Sequence, residues 1–170
     1  DHALHSAAYG VSCGNVTIDQ QKVVSRKNKV VRSLVSGVRA KMKMAGVTVV
    51  MEQARITGKT AQGFSVTAAG ETYEGKQLIL ATGSSAVIPP IHGVAENLGS
   101  FVLTNREILD LEAIPGKLTV IGGGVIGLEM AAYYAAVGAQ VTVIEMLDHI
   151  AGNADREIAA MLQKELEAVG

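Results

Sequence analysis

A glycine-rich turn between an apolar strand and an apolar helix is the feature that most constrains how this chain can fold. Residues 118–121 are predicted to form a buried strand, and residues 122–127 follow with the letters Gly-Gly-Gly-Val-Ile-Gly. A helix is predicted over residues 128–137, and a second strand over residues 140–144 leads directly into Glu145. Strand, GxGxxG, helix, strand and acid are together the parts of a dinucleotide-binding βαβ unit.

Each glycine of the pattern has a separate physical purpose. Gly122 permits the tight turn off the strand, Gly124 leaves room for a pyrophosphate to approach the backbone, and Gly127 lets the helix pack closely on the strand. The helix N-terminus that follows offers free N–H groups and a partial positive charge, both of which favour a phosphate. The sequence therefore predicts a Rossmann-type nucleotide site at this turn.

Glu145 is the second part of the predicted site. It lies 18 residues after Gly127, where a carboxylate can accept hydrogen bonds from ribose hydroxyls and repel a 2′-phosphate. No basic residue stands between Glu145 and His149, which also favours NAD over NADP. The alternative interpretation is an acid that is merely exposed at the end of a strand.

The first half of the chain is predicted to form a helix and then a β-meander. Asp19 is an N-cap residue, apolar residues follow at helical spacing, and Gly46 ends the helix. Strands are predicted at residues 47–51, 54–57, 63–67, 71–73 and 77–81. The last of them is apolar on both faces, so we expect it to be buried in a larger sheet. Later, Thr104 and Glu107 form the pattern of a capping box that opens a short helix.

Composition excludes several classes of function. The 15 Lys and Arg balance 16 Asp and Glu, and Trp is absent, which argues against a nucleic-acid partner. The lone Cys13 cannot form an internal disulfide or a zinc cluster, so we expect no metal and a buried or half-buried thiol. Residues 118–138 resemble a membrane span but contain three consecutive glycines and Glu129, and no targeting segment is visible. We therefore expect a cytoplasmic protein with no membrane partner.

Two separate motifs of the chain resemble those of the flavin-dependent pyridine nucleotide–disulfide oxidoreductases. Within this family, they are most similar to the motifs of the dihydrolipoamide dehydrogenases. The first is Val-Ile-Gly-Gly-Gly-Val-Ile-Gly-Leu-Glu at 120–129, followed by Val-Thr-Val-Ile-Glu-Met-Leu-Asp at 141–148. The second is Leu-Ala-Thr-Gly-Ser at 80–84, followed by the Pro-Pro-Ile linker at 89–91. The resemblance covers essentially the whole chain.

The resemblance implies two cofactors, NAD and FAD. It places the NAD pyrophosphate and nicotinamide end at Gly122, Gly123, Gly124, Val125, Ile126 and Gly127, and the adenosine ribose at Glu145. It places FAD contacts at Thr82, Gly83 and Ser84, and at Ala54, where relatives usually have glycine. Glu129 matches a carboxylate that pairs with a lysine beside the flavin in relatives.

The same resemblance implies an incomplete enzyme with α/β architecture. We expect residues 1–85 to be the rear part of an FAD-binding domain, 86–102 a linker, and 103–170 the first half of an NAD-binding domain. The redox CxxxxC pair and the first GxGxxG of the family are not found in this sequence. The acid/base histidine is not found either, since none of His2, His5, His92 and His149 matches it. We therefore expect no catalytic residue and no turnover from this chain alone. The whole protein is expected to be a homodimer, associated with a 2-oxo acid dehydrogenase complex or the glycine cleavage system.

Two alternatives stay open on the sequence. The whole protein could be another enzyme of the family: an NADH oxidase, a mercuric reductase or a glutathione reductase, although the last is expected to have arginines near Glu145. A non-enzymatic NAD-binding or assembly module is the other alternative. It would use the basic face of the first helix, which holds 8 of the 15 basic residues, to dock a partner.

Overall fold

The computed structural model describes residues 3 and 5–170, which leaves His2 outside the described residues. The chain divides into two compact units, one made of Asp1–Lys27 with Ala86–Gly170 and one of Asn28–Ser85. Its α-helices are α1 (Gln20–Met44), α2 (Val125–Ala136) and α3 (Arg156–Val169). Its strands are β1 (Arg55–Thr60), β2 (Gly63–Ala68), β3 (Glu71–Gly75), β4 (Lys117–Ile121) and β5 (Gln140–Ile144).

The first unit contains the predicted βαβ unit. Strands β4 and β5 pair in parallel, in a register that runs from Lys117 opposite Gln140 to Ile121 opposite Ile144. Helix α2 connects them and begins at Val125, three residues before the predicted start. The glycine turn therefore supplies the first turn of the helix as well as the exit from the strand, and the predicted Rossmann-type architecture is confirmed.

The core of the first unit is built around Tyr134 of α2, whose surface is only 1% exposed. Its hydroxyl donates to the carbonyl oxygen of Ile108 at 2.9 Å, and burial raises its pKa, so the group stays protonated. Ile108 lies in a 3₁₀ turn that follows the predicted capping box. There Thr104 donates from its backbone N–H and its hydroxyl to the Glu107 carboxylate at 2.7 and 2.6 Å. The capping box thus positions the Ile108 carbonyl that accepts the hydrogen bond from Tyr134.

The beginning of α1 joins the same core. Gln20 donates from Nε2 to the carbonyl of Leu111 at 3.1 Å and accepts from the hydroxyl of Tyr133 at 2.6 Å. The ring of Tyr133 meets that of Tyr134 edge-on, with centroids 5.1 Å apart. A buried amide with both ends bonded costs little to desolvate, and it fixes the start of the helix.

Both predicted ends of α1 are confirmed. The Asp19 carboxylate accepts from the Lys22 N–H at 3.1 Å, which caps the N-terminus. At the other end Gly46 has a φ of 69°, and its N–H and that of Val47 donate to Lys43 and Met42, which is a Schellman motif. The apolar residues of the helix beyond Lys27 are largely exposed, namely Val30, Val31, Leu34, Val35 and Val38.

The second unit contains the predicted β-meander as an antiparallel sheet in the order β1-β2-β3. Ala69 and Gly70 join β2 to β3 with φ of 54° and 79°, the positive values that a two-residue type I′ turn requires. The strands predicted at 47–51 and 77–81 are wrong, since both segments lack a ladder. A strand forms only beside a partner, and these segments have none among the described residues. Ile79 is 86% exposed, so its segment is not buried in a sheet either.

Two further expectations can be compared with the structure. Cys13 is exposed, which contradicts the expected buried or half-buried thiol; the segment around it has no regular structure that could cover it. The span-like residues 118–138 fold into β4, the glycine turn and α2. None of the helices in the described part of the chain has the length and apolar character needed to cross a bilayer.

The hydroxyl of Tyr134 provides a test of this core. Replacing Tyr134 by Phe leaves the Ile108 carbonyl without its buried donor, and we expect the free energy of unfolding to fall by about 1–2 kcal/mol. The matched control is Tyr73→Phe, which removes an exposed bond to Glu71 and is expected to change stability by less than ~0.5 kcal/mol. Urea denaturation followed by circular dichroism measures both, and equal losses would contradict the assigned role of Tyr134.

Candidate functional site

The exit of the chain from β4 is held by Gly122. Its N–H donates to the carbonyl of Ile144 at 2.8 Å, which extends the β4–β5 ladder by one bond. Its φ of 105° lies in the region that side chains with a Cβ rarely adopt. The chain can therefore leave the strand at this point only through a glycine, as the sequence pattern predicts.

Gly127 brings α2 against the end of β4. A Cβ added at Gly127 would lie 2.3 Å from the carbonyl oxygen of Gly122 and 3.1 Å from Cγ1 of Val120. Real carbon atoms do not approach a backbone oxygen so closely, so an alanine would push the helix away from the strand. The predicted packing purpose of this glycine is confirmed by the distances.

Gly124 is placed differently, at the N-cap of α2. Its backbone is extended, with φ −75° and ψ 173°, and a Cβ built there would have no atom within 4 Å. The helix has no side-chain cap and no acidic residue in its first turn, which includes Val125 and Ile126. Since the first amides of a helix have no partner within the helix, this end can receive a phosphate.

Glu145 is joined to the glycine turn by hydrogen bonds. Its Oε2 accepts from the N–H of Gly123 at 2.6 Å, while Oε1 accepts from the N–H groups of Met146 and Leu147 at 2.7 and 2.9 Å. The bond from Leu147, followed by that from Gly123, holds the pKa of this carboxyl below its ordinary value of 4.5. The carboxylate is therefore charged at neutral pH and fixed beside the turn.

The loop after β5 is a part of the site that the sequence did not predict. Ala151 donates its N–H to the carbonyl of Gly123 at 2.7 Å, and Cγ2 of Ile150 lies 3.2 Å from the place that a Cβ of Gly123 would occupy. Gly123 is thus buried and held at both of its polar atoms. The Ala-Gly pair at 151–152 has positive φ values of 64° and 58°, a turn signal that marks this loop.

The remaining predicted site residues lie outside the glycine turn in the sequence. Glu129 is exposed on α2. Ala54, Thr82, Gly83 and Ser84 belong to the second unit, where all four are exposed and lie outside the strands. The structure therefore assembles Gly122–Gly127 with Glu145, and contacts of the other residues with FAD stay predictions. Among the described residues, no group of three or more His, Cys, Asp or Glu could hold a metal ion.

A family model described as pyridine nucleotide-disulphide oxidoreductase matches residues 4–170. The chain belongs to this family. Its relatives include a dihydrolipoyl dehydrogenase of Acholeplasma laidlawii, 41% identical over 97% of this chain, and one of Cupriavidus necator, 37% identical over 98%. The chain spans 48% and 34% of the lengths of these two relatives.

Solved structures of the family have the same fold. LpdA from Mycobacterium tuberculosis matches 98% of this chain with a TM-score of 0.78 and 28% identity, and the match covers 37% of that protein. The HOCl-induced flavoprotein disulfide reductase RclA from Escherichia coli, as its Cu(II) complex, matches 99% with a TM-score of 0.72 and 26% identity. The chain is therefore part of an oxidoreductase fold, and it corresponds to about a third to a half of the length of its relatives.

Gly127 and Gly124 form a matched pair for testing the turn. Because of the close contact with Gly122, Gly127→Ala is expected to lower the free energy of unfolding by about 1–3 kcal/mol. Gly124→Ala fills open space and is expected to cost less than ~1 kcal/mol, the loss of a preferred cap residue. Denaturant melts of the two variants measure the difference, and a reversed order would show that the turn is packed differently.

The Glu145 carboxylate provides a test against pH. Because its pKa is lowered on folding, its contribution to stability is present above pH 4.5 and is lost as pH falls through the lower, folded-state value. Glu145→Gln lacks this contribution, so we expect its melting temperature to fall less steeply than that of the wild type below pH 4.5. Thermal melts between pH 3 and 7 measure both slopes, and parallel curves would contradict the assigned hydrogen bonds.

Proposed function

We propose that the chain is the NAD-binding portion, with part of the FAD-binding portion, of an FAD-dependent dihydrolipoamide dehydrogenase. The observation that carries the proposal is the hydrogen bond from the Gly123 N–H to Glu145, which joins the glycine turn to the acid in one site. Dihydrolipoyl dehydrogenases from several organisms match nearly the whole chain at 34–41% identity, which supports the choice within the family.

The residues of the turn fit a dinucleotide. The pyrophosphate would lie at Gly122, Gly123, Gly124 and Gly127, over the uncapped end of α2 and in the open space beside Gly124. Val125 and Ile126, both exposed, would face the nicotinamide end. The ribose of the adenosine would donate to Glu145, whose charge would repel the 2′-phosphate of NADP.

The FAD-facing residues and the reaction rest on the resemblance. Thr82, Gly83, Ser84 and Ala54 would contact FAD, and Glu129 would pair with a lysine beside the flavin. When bound, FAD would supply electron transfer and NAD would accept hydride in the oxidation of dihydrolipoamide. The chain's own residues would bind and orient the nucleotide, and exclude NADP from the site.

The chain alone is expected to lack dehydrogenase activity. It contains one cysteine, Cys13, whereas the redox disulfide of this chemistry needs two. The substrate of the whole protein would be a dihydrolipoyl group. We propose a homodimer that serves a 2-oxo acid dehydrogenase complex or the glycine cleavage system.

Isothermal titration calorimetry with NAD and NADP tests the proposal. We expect NAD to bind and NADP to bind at least about tenfold more weakly, a difference of ~1.4 kcal/mol. Glu145→Gln is expected to reduce that preference, because the neutral amide no longer repels the 2′-phosphate. Gly124→Ala, which should fold normally, is expected to weaken NAD binding by a similar factor.

Two results would contradict the proposal. Equal or tighter binding of NADP would remove the assigned role of Glu145 and favour an NADP-linked member of the family. Normal NAD binding by Gly124→Ala would move the pyrophosphate away from the turn. The matched control is Gly116→Ala, a change in open space outside the site, which should leave both affinities unchanged.

A further inference from the structure

An ion pair joins the loop after β5 to the start of α3. Oδ2 of Asp148 accepts from Nη1 of Arg156 at 2.9 Å, and Oδ1 of Asp148 lies 2.7 Å from Nδ1 of His149. These bonds, with that to His149 the stronger influence, hold the pKa of the Asp148 carboxyl below its ordinary value of 3.8. Asp148 is therefore ionised at neutral pH, and both of its oxygens are engaged.

Arg156 is a cation of the kind that NADP sites use. A guanidinium can bind a phosphate through two parallel N–H groups, and an arginine near the ribose lets a dinucleotide site of this type accept a 2′-phosphate. The side chain of Arg156 is 73% exposed, so it is free to turn toward another anion if Asp148 releases it. The chain thus contains a potential 2′-phosphate ligand that the residues directly after Glu145 lack.

The ion pair lies close to the carboxylate that would bind the ribose. Leu147, whose N–H donates to Oε1 of Glu145 at 2.9 Å, is the residue directly before Asp148. Since consecutive Cα atoms are about 3.8 Å apart, the backbone of Asp148 stands next to a group that contacts Glu145. A phosphate on a ribose hydroxyl bonded to Glu145 would therefore lie within reach of the long side chain of Arg156.

We propose that Asp148 is a specificity-determining positioning residue, because its ion pair withholds the Arg156 guanidinium from the 2′-phosphate of NADP. The inference rests on the proposed function, which assigns the adenosine ribose to Glu145. Selection of NAD then has two parts: Glu145 repels the 2′-phosphate, and Asp148 occupies the cation that would attract it. NAD has no 2′-phosphate, so its affinity does not depend on the ion pair.

The exposure of the pair sets the size of the effect. Asp148 is 67% exposed and Arg156 is 73% exposed, and exposed ion pairs are weak and are screened by salt. We therefore expect a change of about threefold in NADP affinity when the pair is broken, and a smaller change at high ionic strength.

Asp148→Asn is the main variant. The amide keeps the shape of the side chain and an oxygen that can accept from His149, but it removes the charge that holds Arg156. In low-salt calorimetry we expect it to bind NADP about threefold more tightly than the wild type, and NAD equally well. Asp148→Glu keeps the charge and should keep the wild-type preference. The matched control is Glu167→Gln, which removes an exposed acid further along α3 and should change neither affinity.

A second variant separates the release of Arg156 from the simple loss of a negative charge. Arg156→Gln alone should leave NADP affinity unchanged, because the guanidinium does not face the phosphate in the wild type. Combined with Asp148→Asn, it should abolish the threefold gain. If the double variant retains the whole gain, the effect is that of net charge and the inference is overturned.

Two further results decide the inference. Unchanged NADP affinity in Asp148→Asn, with normal NAD binding, would remove it and leave the proposed function intact, whereas a wild type that binds neither dinucleotide would remove both. The ion pair itself can be tested without nucleotide by an NMR titration of the Asp148 carboxyl. Arg156→Gln should raise its pKa, and an unchanged pKa would show that the pair does not form in solution.

Discussion

The close approach of Gly127 to Gly122 is the constraint on which the first unit depends. With 2.3 Å between the carbonyl oxygen and the place of an absent Cβ, the start of α2 lies directly on the end of β4. Because of this contact, the chain leaves the strand in a single turn. It then presents uncapped amides at Val125 and continues as a helix. Without it the strand and the helix would be joined by a longer loop, and the amides would not stand above the strand end.

The sequence predicts this unit well because its signals are local. The glycines act on atoms within a few residues of themselves, and the capping box at Thr104 satisfies its own backbone. Asp19 and Gly46 terminate α1 through bonds to residues at most four positions away. Physical rules for short spacings apply directly to such features, and each of them is found where the pattern placed it.

The wrong predictions all concern features that need a distant partner. The segment 77–81 has the apolar letters of a buried strand, but a ladder needs a neighbouring strand, and the described residues supply none. Cys13 was expected to be buried or half-buried, but it is exposed, and none of the described helices and strands covers it. The bond from Ala151 to Gly123 was missed for the same reason: 28 positions separate the two residues, and only the return of the loop after β5 joins them.

The carboxylate of Glu145 sets a condition on any nucleotide that binds at the turn. A carboxylate has about four acceptor positions, and backbone N–H groups already occupy three of them. A ribose that donates both hydroxyls must therefore share an acceptor position with an amide, or displace one. The bond from Gly123 is the one to keep, because it holds the turn that would carry the pyrophosphate. The bonds from Met146 and Leu147 belong to the loop after β5, which is joined to the turn by the bond from the Ala151 N–H to the Gly123 carbonyl. The same carboxylate would then bind the ribose and accept from the amides of the loop. The adenosine end of the site would therefore be coupled to the loop rather than to the helix.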